Sequence, residues 1–418
     1  MNTRTLKLSY QGGKINDTVE LTGSKSESNR ALILSALSKG IIQIKNLSNA
    51  DDTVTLCDVL KSIQESKANL TVDIGPAGTA MRFLTAYLSF VPGNFLLTGS
   101  ERMKQRPIGI LVNALRSIGA SIKYTENDGY PPLNIDGGAQ QTHDQLDIRG
   151  DVSSQYLSAL LLIAPFLPLG LTLNITGDLT SKPYVTMTLQ MLAEAGIQHT
   201  WDGNSISISH QEVKKTELHV EPDWSAASYW YAIIALSPIG SSLFLPGLKT
   251  NSLQGDSAIV DILANFGVVS TFENNGVKIE KSNNQGKQQT LFNFKECPDL
   301  AQTVIACCAV LGYNATFTGL ETLKIKETDR IRALQNELAK FNVTLMEENE
   351  SYHLNTDNKT TPDSIRIKTY EDHRMAMAFA PLAIHFNELV IEDPEVVGKS
   401  YPAFWTHLEQ IGFTISNQ

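Results

Sequence analysis

Directly after Gly23 the chain sets out Ser24, Lys25, Ser26, Ser28 and Arg30, just ahead of the apolar run ALILSAL. Hydroxyls and cations gathered at a helix start make an anion site, because the unpaired N–H groups and the positive end of the helix dipole favour negative charge. A capping serine explains Ser24 or Ser26. It leaves Lys25 and Arg30 unexplained, since cations are disfavoured in a first turn. Comparable sets open other apolar segments: Gly78, Thr79 and Arg82 in GPAGTAMR, Ser153, Ser154 and Gln155 in GDVSSQYL, and His373 and Arg374 in EDHR. The paired serines together with SKPY, Ser181–Tyr184, suit a phosphate. KETDR, Lys326–Arg330, and EDHR mix both signs of charge, which reads first as a salt-bridged face, yet both sit at helix starts equivalent to the others. The set is rich in Arg, Lys and Ser with a few carboxylates. It fits substrates carrying several negative charges, with acid–base chemistry between them.

Composition removes other classes. The chain has 418 residues, 42% of them hydrophobic and 19% charged, which is the balance of a globular protein of about two domains. The start, MNTRTLKLSYQGGKIN, offers no apolar core for a secretory signal. The longest apolar run, YLSALLLIAPFLPLGLTL, is interrupted by two prolines and reads as a buried helix, so no membrane segment is expected. A net charge of −10 argues against nucleic-acid binding. Cys57, Cys297, Cys307 and Cys308 have no metal-ligand spacing and read as reduced thiols of a cytoplasmic protein. GPAGTAMR lacks the Gly-Lys-Ser/Thr ending of a P-loop.

The polar starts recur because the chain repeats. Segments that begin polar and continue as an apolar helix open at Gly23, Gly75, Gly150, Asp223, Cys297 and Glu371, so successive starts are 52, 75, 73, 74 and 74 residues apart. A second, amphipathic set opens at Arg106, Ser181, Gly255, Lys326 and Lys399, with DDTVTLCDVLKSI as a weaker first member. Short strand candidates lie between them: FLLTGS, LTLNITG, SSLFLPG, ATFTGL and LVIEDP. The chain is therefore expected to hold six copies of one α/β unit, the first shortened, in two sets of three. The helices of the first set are apolar almost all round and should be buried. Their polar starts, converging, would form one site.

GSKSESNRAL, AGTAMRFL, RMKQRPIGILVNALRSIGA, GDVSSQYLSALL, SKPYV, KETDRI, YEDHRMAMAFA and GKSYPAFW resemble, in order, the motif series of the 5-enolpyruvylshikimate-3-phosphate (EPSP) synthases, over Gly23 to Trp405. The resemblance implies an α/β fold of two similar domains, each of three βαβαββ units with buried parallel helices, an inside-out α/β barrel. It implies residues 1–22 plus 221–418 as one domain, 23–220 as the other, and an active site in the cleft between them. The implied reaction moves the enolpyruvyl group of phosphoenolpyruvate to the 5-hydroxyl of shikimate 3-phosphate, through a tetrahedral intermediate, with release of phosphate.

By the same resemblance Ser153, Ser154 and Ser181 bind the shikimate phosphate, Ser26 and Arg30 its carboxylate, and Tyr184 positions it. Lys25, Arg106, Gln155, Arg330, Arg374 and Lys399 surround phosphoenolpyruvate, with the Gly78 backbone along its phosphate. Asp299, helped by Lys326, accepts the proton of the 5-hydroxyl. Glu327 handles the proton at the methylene carbon, assisted by Lys25 and His373. No metal or cofactor, no nucleic acid and no membrane is implied, and a monomer is expected. The chain departs from the family pattern at Thr22, Pro76, Phe83 and Thr322, which leaves the catalytic set intact. Two rivals remain: the sister transferase acting on UDP-N-acetylglucosamine, which would carry a reactive loop cysteine, and a silent homologue that only binds a phosphometabolite.

Overall fold

The computed structural model describes residues 4–65, 69–151, 153–283 and 289–417. One strand order defines the repeat. Strand Leu70–Asp73 runs parallel to Asn94–Thr98, with the buried helix Gly78–Phe90 between them in sequence. The helix Gly109–Ser117 follows. A hairpin then completes the sheet, Leu133–Asp136 lying antiparallel to Asn94–Thr98 and Ser121–Tyr124 outside it. The same order recurs in Gln145–Arg149, Leu171–Thr176, Ser205–Ile208 and Thr200–Asp202, and again in Leu291–Asn293, Ala315–Thr318, Ser351–Asn355 and Thr344–Glu348. This is the βαβαββ unit that the family resemblance implies, recurring as the sequence repeats do.

The other three sheets complete themselves with a strand from far away in the chain. Asn16–Thr18 runs parallel to Ser242–Pro246. Thr5–Ser9 lies antiparallel between Glu388–Glu392 and Thr414–Asn417. Thr216–His219 runs parallel to Ile42–Lys45 in a sheet of two strands, and this is the shortened first copy. The chain divides into two compact units, Met1–Thr22 with Glu221–Gln418, and Gly23–Val220.

Each unit packs its apolar helices together and covers them with one face of its sheets. In one unit Lys25–Leu37, Gly78–Phe90 and Ser154–Ile163 pack pairwise; in the other, Ala301–Leu311 packs on both Trp224–Leu236 and His373–Phe379. Every residue of Trp224–Leu236 except Ser225 is buried. Such a helix has no polar face to give to water, and three like it form a core. Strands such as Gln145–Arg149 alternate buried and exposed residues, as expected where one face covers helices and the other meets solvent. The long apolar run divides into the helix Ser154–Ile163, a turn at Ala164–Phe166 and the strand Leu171–Thr176. No helix among the described residues is long and apolar enough to cross a membrane.

In the discontinuous unit, Trp230 is enclosed by Tyr401, Phe404 and His407, with ring centroids 6.4, 6.2 and 6.3 Å away. Its indole N–H donates to the Tyr401 hydroxyl at 3.2 Å. Burying one such ring contributes about 1.5–3 kcal/mol, and this packing fixes the segment just after Lys399.

Candidate functional site

In the unit Gly23–Val220, three helix starts are stitched together by side chains. Ser24 caps the helix Lys25–Leu37, accepting from the Glu27 N–H. Lys25 Nζ lies 3.2 Å from Asp52 Oδ2, in the first turn of Asp51–Glu65. That carboxylate offsets a cation placed where the helix dipole disfavours it. Arg30 is buried. Its Nε donates to Thr188 Oγ1 at 2.7 Å, Nη2 to Ser158 Oγ at 3.0 Å and to the Tyr184 carbonyl at 3.3 Å, and Nη1 to the Ser26 carbonyl at 2.8 Å. The guanidinium also lies over the rings of Phe83 and Tyr184, at 5.4 and 5.8 Å. Burial pulls it down to about 10, so it stays a cation at neutral pH.

The start of Gly78–Phe90 is tied to the loop holding Arg106. Arg82 donates to the Gly78 carbonyl at 3.1 Å and to the Pro107 carbonyl at 3.0 Å. A Cβ at Gly78 would lie 2.5 Å from Arg106 Nη1, the far end of that side chain, so a larger residue there obliges the guanidinium to shift. Ser153 caps the helix Ser154–Ile163 by accepting from the Gln155 N–H. The Gln155 amide donates to Thr79 Oγ1 at 3.2 Å, and the Tyr156 hydroxyl to the Pro107 carbonyl at 2.6 Å. Ser181 precedes the helix Lys182–Glu194 in a left-handed conformation, φ 54° and ψ 42°, and its side chain makes no capping bond. An L-residue held there costs about 1–2 kcal/mol, and strain of this kind gathers at functional positions.

In the discontinuous unit the charges alternate in sign from residue to residue. Arg330 is buried and reaches three carboxylates: Nε to Asp372 Oδ2 at 2.7 Å, Nη2 to Glu327 Oε2 at 2.9 Å, and Nη1 to Asp299 Oδ1 at 3.1 Å. The other oxygen of Asp299 takes Arg374 Nη2 at 3.0 Å. The other oxygen of Glu327 takes Lys399 Nζ at 3.1 Å. Arg374 also donates to the Tyr229 hydroxyl and the Ser225 hydroxyl, each at 3.3 Å. Asp372 caps the helix His373–Phe379 through the Arg374 N–H. The buried His373 has Nδ1 3.8 Å from Asp372 Oδ1.

Asp299 and Glu327 are therefore carboxylates whose oxygens are each matched to a different cation. Burial alone would push Asp299 up; the charges of Arg374, Lys326 and Arg330 outweigh it and hold the carboxyl well below the usual range. A group so held is ionised and oriented. The cations around it are a ready field for an anion.

The structure thus brings Asp299, Glu327, Arg330, Arg374 and Lys399 into one network, with Lys326 beside Asp299. In the other unit it brings Ser26, Arg30 and Tyr184 together, and sets Gly78 against Arg106. Several members escape a reading of the sequence. Asp52, Ser158 and Thr188 look like ordinary helix residues until Lys25 and Arg30 are seen against them. Asp372 sits inside the EDHR motif, and only the fold turns it toward Arg330. All four cysteines are free, and burial pushes Cys297 and Cys307 up to about 12, far from a reactive thiolate.

Residues 9–408 match the family of EPSP synthase (3-phosphoshikimate 1-carboxyvinyltransferase). A 3-phosphoshikimate 1-carboxyvinyltransferase of Bacteroides fragilis is 47% identical over 405 residues, covering 96% of this chain and 97% of its own. Another from Neisseria meningitidis serogroup B is 35% identical, covering 93% and 94%. Among solved structures, EPSP synthase from Acinetobacter baumannii superimposes with a TM-score of 0.79 at 21% identity over the whole of both chains. The enolpyruvyl transferase NikO from Streptomyces tendae gives 0.73 at 13%. At these identities the two structures speak to the fold.

Proposed function

The chain belongs to the EPSP synthase family, and we infer that it is an enolpyruvyl transferase of the shikimate pathway. It transfers the enolpyruvyl group of phosphoenolpyruvate to the 5-hydroxyl of shikimate 3-phosphate and releases phosphate. The observation that carries the assignment of roles is Asp299, an ionised carboxylate clamped by Arg330 and Arg374 with an acid–base partner, Glu327, on the same guanidinium.

In this reading both sets of residues serve one pair of substrates. Ser153, Ser154 and Ser181 hold the shikimate phosphate; for Ser181 the support is a strained backbone and a hydroxyl not spent on capping. Ser26 and the immobilised Arg30 hold the ring carboxylate, and Tyr184 orients it. Lys25, Arg106, Gln155, Arg330, Arg374, Lys399 and the backbone of Gly78 hold phosphoenolpyruvate. Cations placed before the reaction cost no reorganisation during it, and they offset the repulsion of two anions.

Glu327, once it has taken up a proton, delivers it to the methylene carbon of phosphoenolpyruvate with the assistance of Lys25 and His373, leaving cationic character at C2. The 5-hydroxyl oxygen attacks C2 while Asp299, beside Lys326, takes its proton. The tetrahedral intermediate then returns a methyl proton to the Glu327 carboxylate as the bond to the phosphate oxygen breaks. The double bond re-forms, and phosphate leaves. One well-placed acid or base contributes about 10²–10⁴-fold. We place this chemistry in the cytoplasm, on a monomer that needs no cofactor.

The test is phosphate release from phosphoenolpyruvate with shikimate 3-phosphate or UDP-N-acetylglucosamine as acceptor. Release with the first alone, lost in Asp299→Ala, is the expected result. Release with the second, or with neither from folded protein, would overturn the reading.

A further inference from the structure

The charged network of the discontinuous unit extends to a buried carboxyl, Asp256, that the reaction just described does not use. Asp256, in the first turn of the segment that opens at Gly255, is buried, with a residue exposure of 4%. One oxygen, Oδ2, accepts from the Ser225 hydroxyl. The other, Oδ1, has no hydrogen-bond partner among the described residues. Ser225 Oγ in turn accepts from Arg374 Nη2 at 3.3 Å, and the same Nη2 lies 3.0 Å from Asp299 Oδ2. Asp256, Ser225, Arg374 and Asp299 thus form one chain, with the hydroxyl of Ser225 turned by Asp256 so that its lone pair faces the guanidinium.

We propose that Asp256 is a positioning residue for phosphoenolpyruvate: through Ser225 it holds the Arg374 guanidinium in place while its carboxyl carries a proton, and on ionising it draws that guanidinium away from the substrate anion. The inference rests on Arg374 binding phosphoenolpyruvate as read above.

The surroundings give the mechanism its direction. An ionised carboxylate buried with one oxygen unsolvated is disfavoured, and protonation relieves that. The groups facing Asp256 are Asp299 and the Cys297 thiol from the segment before Ala301–Leu311, Arg374 from His373–Phe379, and Ser225 with Asp223 from the start of Trp224–Leu236. Burial first, then the charge of Asp299, raise the Asp256 carboxyl to about 7, with Arg374 and the Ser225 bond opposing. Only one cation stands among these groups, and Asp299 already uses it. A second full negative charge must compete for the same guanidinium. The competition appears as pH rises through neutrality, and it falls on the substrate that Arg374 holds, not on the one bound in the other unit.

The experiment compares full-length wild type with Asp256→Asn and Asp256→Ala, measuring KM for each substrate and kcat from pH 5.5 to 9. Asp256→Asn mimics the protonated acid. The wild-type KM for phosphoenolpyruvate should climb about three- to tenfold more than that of Asp256→Asn between pH 6 and 8. Titration of the substrate's own phosphate is common to both proteins and cancels in that ratio. The KM for shikimate 3-phosphate should not differ between them, and kcat at pH 6 should agree within about twofold. Asp256→Ala, which frees Ser225, should raise the KM for phosphoenolpyruvate at every pH. Parallel pH profiles for wild type and Asp256→Asn overturn the proposal, as does an equal change in both KM values. Wild type that turns over neither acceptor overturns the enzyme reading first, and the proposal with it.

Discussion

Arg330 Nε lies 2.7 Å from Asp372 Oδ2, and neither side chain reaches water, with exposures of 2% and 0%. Asp372 thereby joins two starts: its other oxygen accepts from the Arg374 N–H at 2.8 Å. Removing one partner of a buried pair leaves the other charge uncompensated, which costs about 3–5 kcal/mol. Asp372→Ala should lower the stability measured by urea unfolding by that amount. Asp372→Asn, which keeps an acceptor for the cap, should lose less. A loss below about 1 kcal/mol in the alanine variant would mean that Asp299 and Glu327 suffice to hold Arg330.

Asp299→Asn should fold and lose about 10²–10⁴-fold in kcat, because the amide keeps the shape and removes the base. The pH profile is informative in the other direction. The folded-state value of Asp299 is depressed, so its contribution to stability is complete above the unfolded-state range and disappears only as pH falls well below it. Wild-type kcat should therefore show no limb from Asp299 between pH 5 and 8. An acid limb in that range that vanishes in Asp299→Asn would contradict the clamp.

The sign is opposite for Asp256. Its folded-state value is raised from 3.8 to about 7. Between those values the native state holds a proton that the unfolded state has lost, so stability falls as pH rises, and levels off above about 7. Asp256→Asn has no such proton to lose. Its stability relative to wild type should grow between pH 4 and 7, by up to about 4 kcal/mol. Parallel urea midpoints across that range would show that Asp256 ionises normally.

Ser181→Gly should relieve the left-handed backbone at φ 54° and raise Tm by a few degrees, about 1 kcal/mol. The same change deletes the hydroxyl offered to the shikimate phosphate, so the KM for shikimate 3-phosphate should rise about tenfold or more. Greater stability with unchanged KM would remove Ser181 from the binding set.

Gly78→Ala places a methyl 2.5 Å from Arg106 Nη1. Either the guanidinium or the helix start must shift. The expected effect is a rise of about tenfold in the KM for phosphoenolpyruvate, with kcat changed less, since the lesion is in binding. Equal loss in both would place Gly78 in the chemistry itself.

Some of this architecture was plain in the residue order, for a physical reason. The buried helices are apolar on all sides, so GSKSESNRALILSAL and DWSAASYWYAIIAL announce themselves, and the spacing of 73–75 residues between starts from Gly75 onward betrays the repeat. Charged residues at the mouths of such helices need partners, which makes Lys25, Arg30 and Arg374 conspicuous. What could not be read was pairing at a distance. Asn16–Thr18 holds no apolar residue and Thr216–His219 only Leu218, too few to show a periodicity. Their strand character comes from the sheets they join. The carboxylates behind the cations were hidden likewise: Asp52 is an ordinary residue of an acidic helix start, and Asp256 lies in QGDS with nothing nearby to single it out. Ser181 could not be foreseen as left-handed, because serine is not a residue that prefers that region.

The borrowed strands set a timetable for synthesis. Thr216–His219 closes the Gly23–Val220 unit on Ile42–Lys45, so that unit has all its strands as soon as its own last residues emerge. Thr5–Ser9, made long before its partners, waits for Glu388–Glu392 and Thr414–Asn417. At about 5–20 residues per second, that wait is roughly 20–80 s. Through it, an alternating apolar strand stands with both edges open, the form most prone to pair with another chain. A strand made early is therefore built in late, and a nascent chain stalled before residue 388 would carry a finished unit and an unprotected strand.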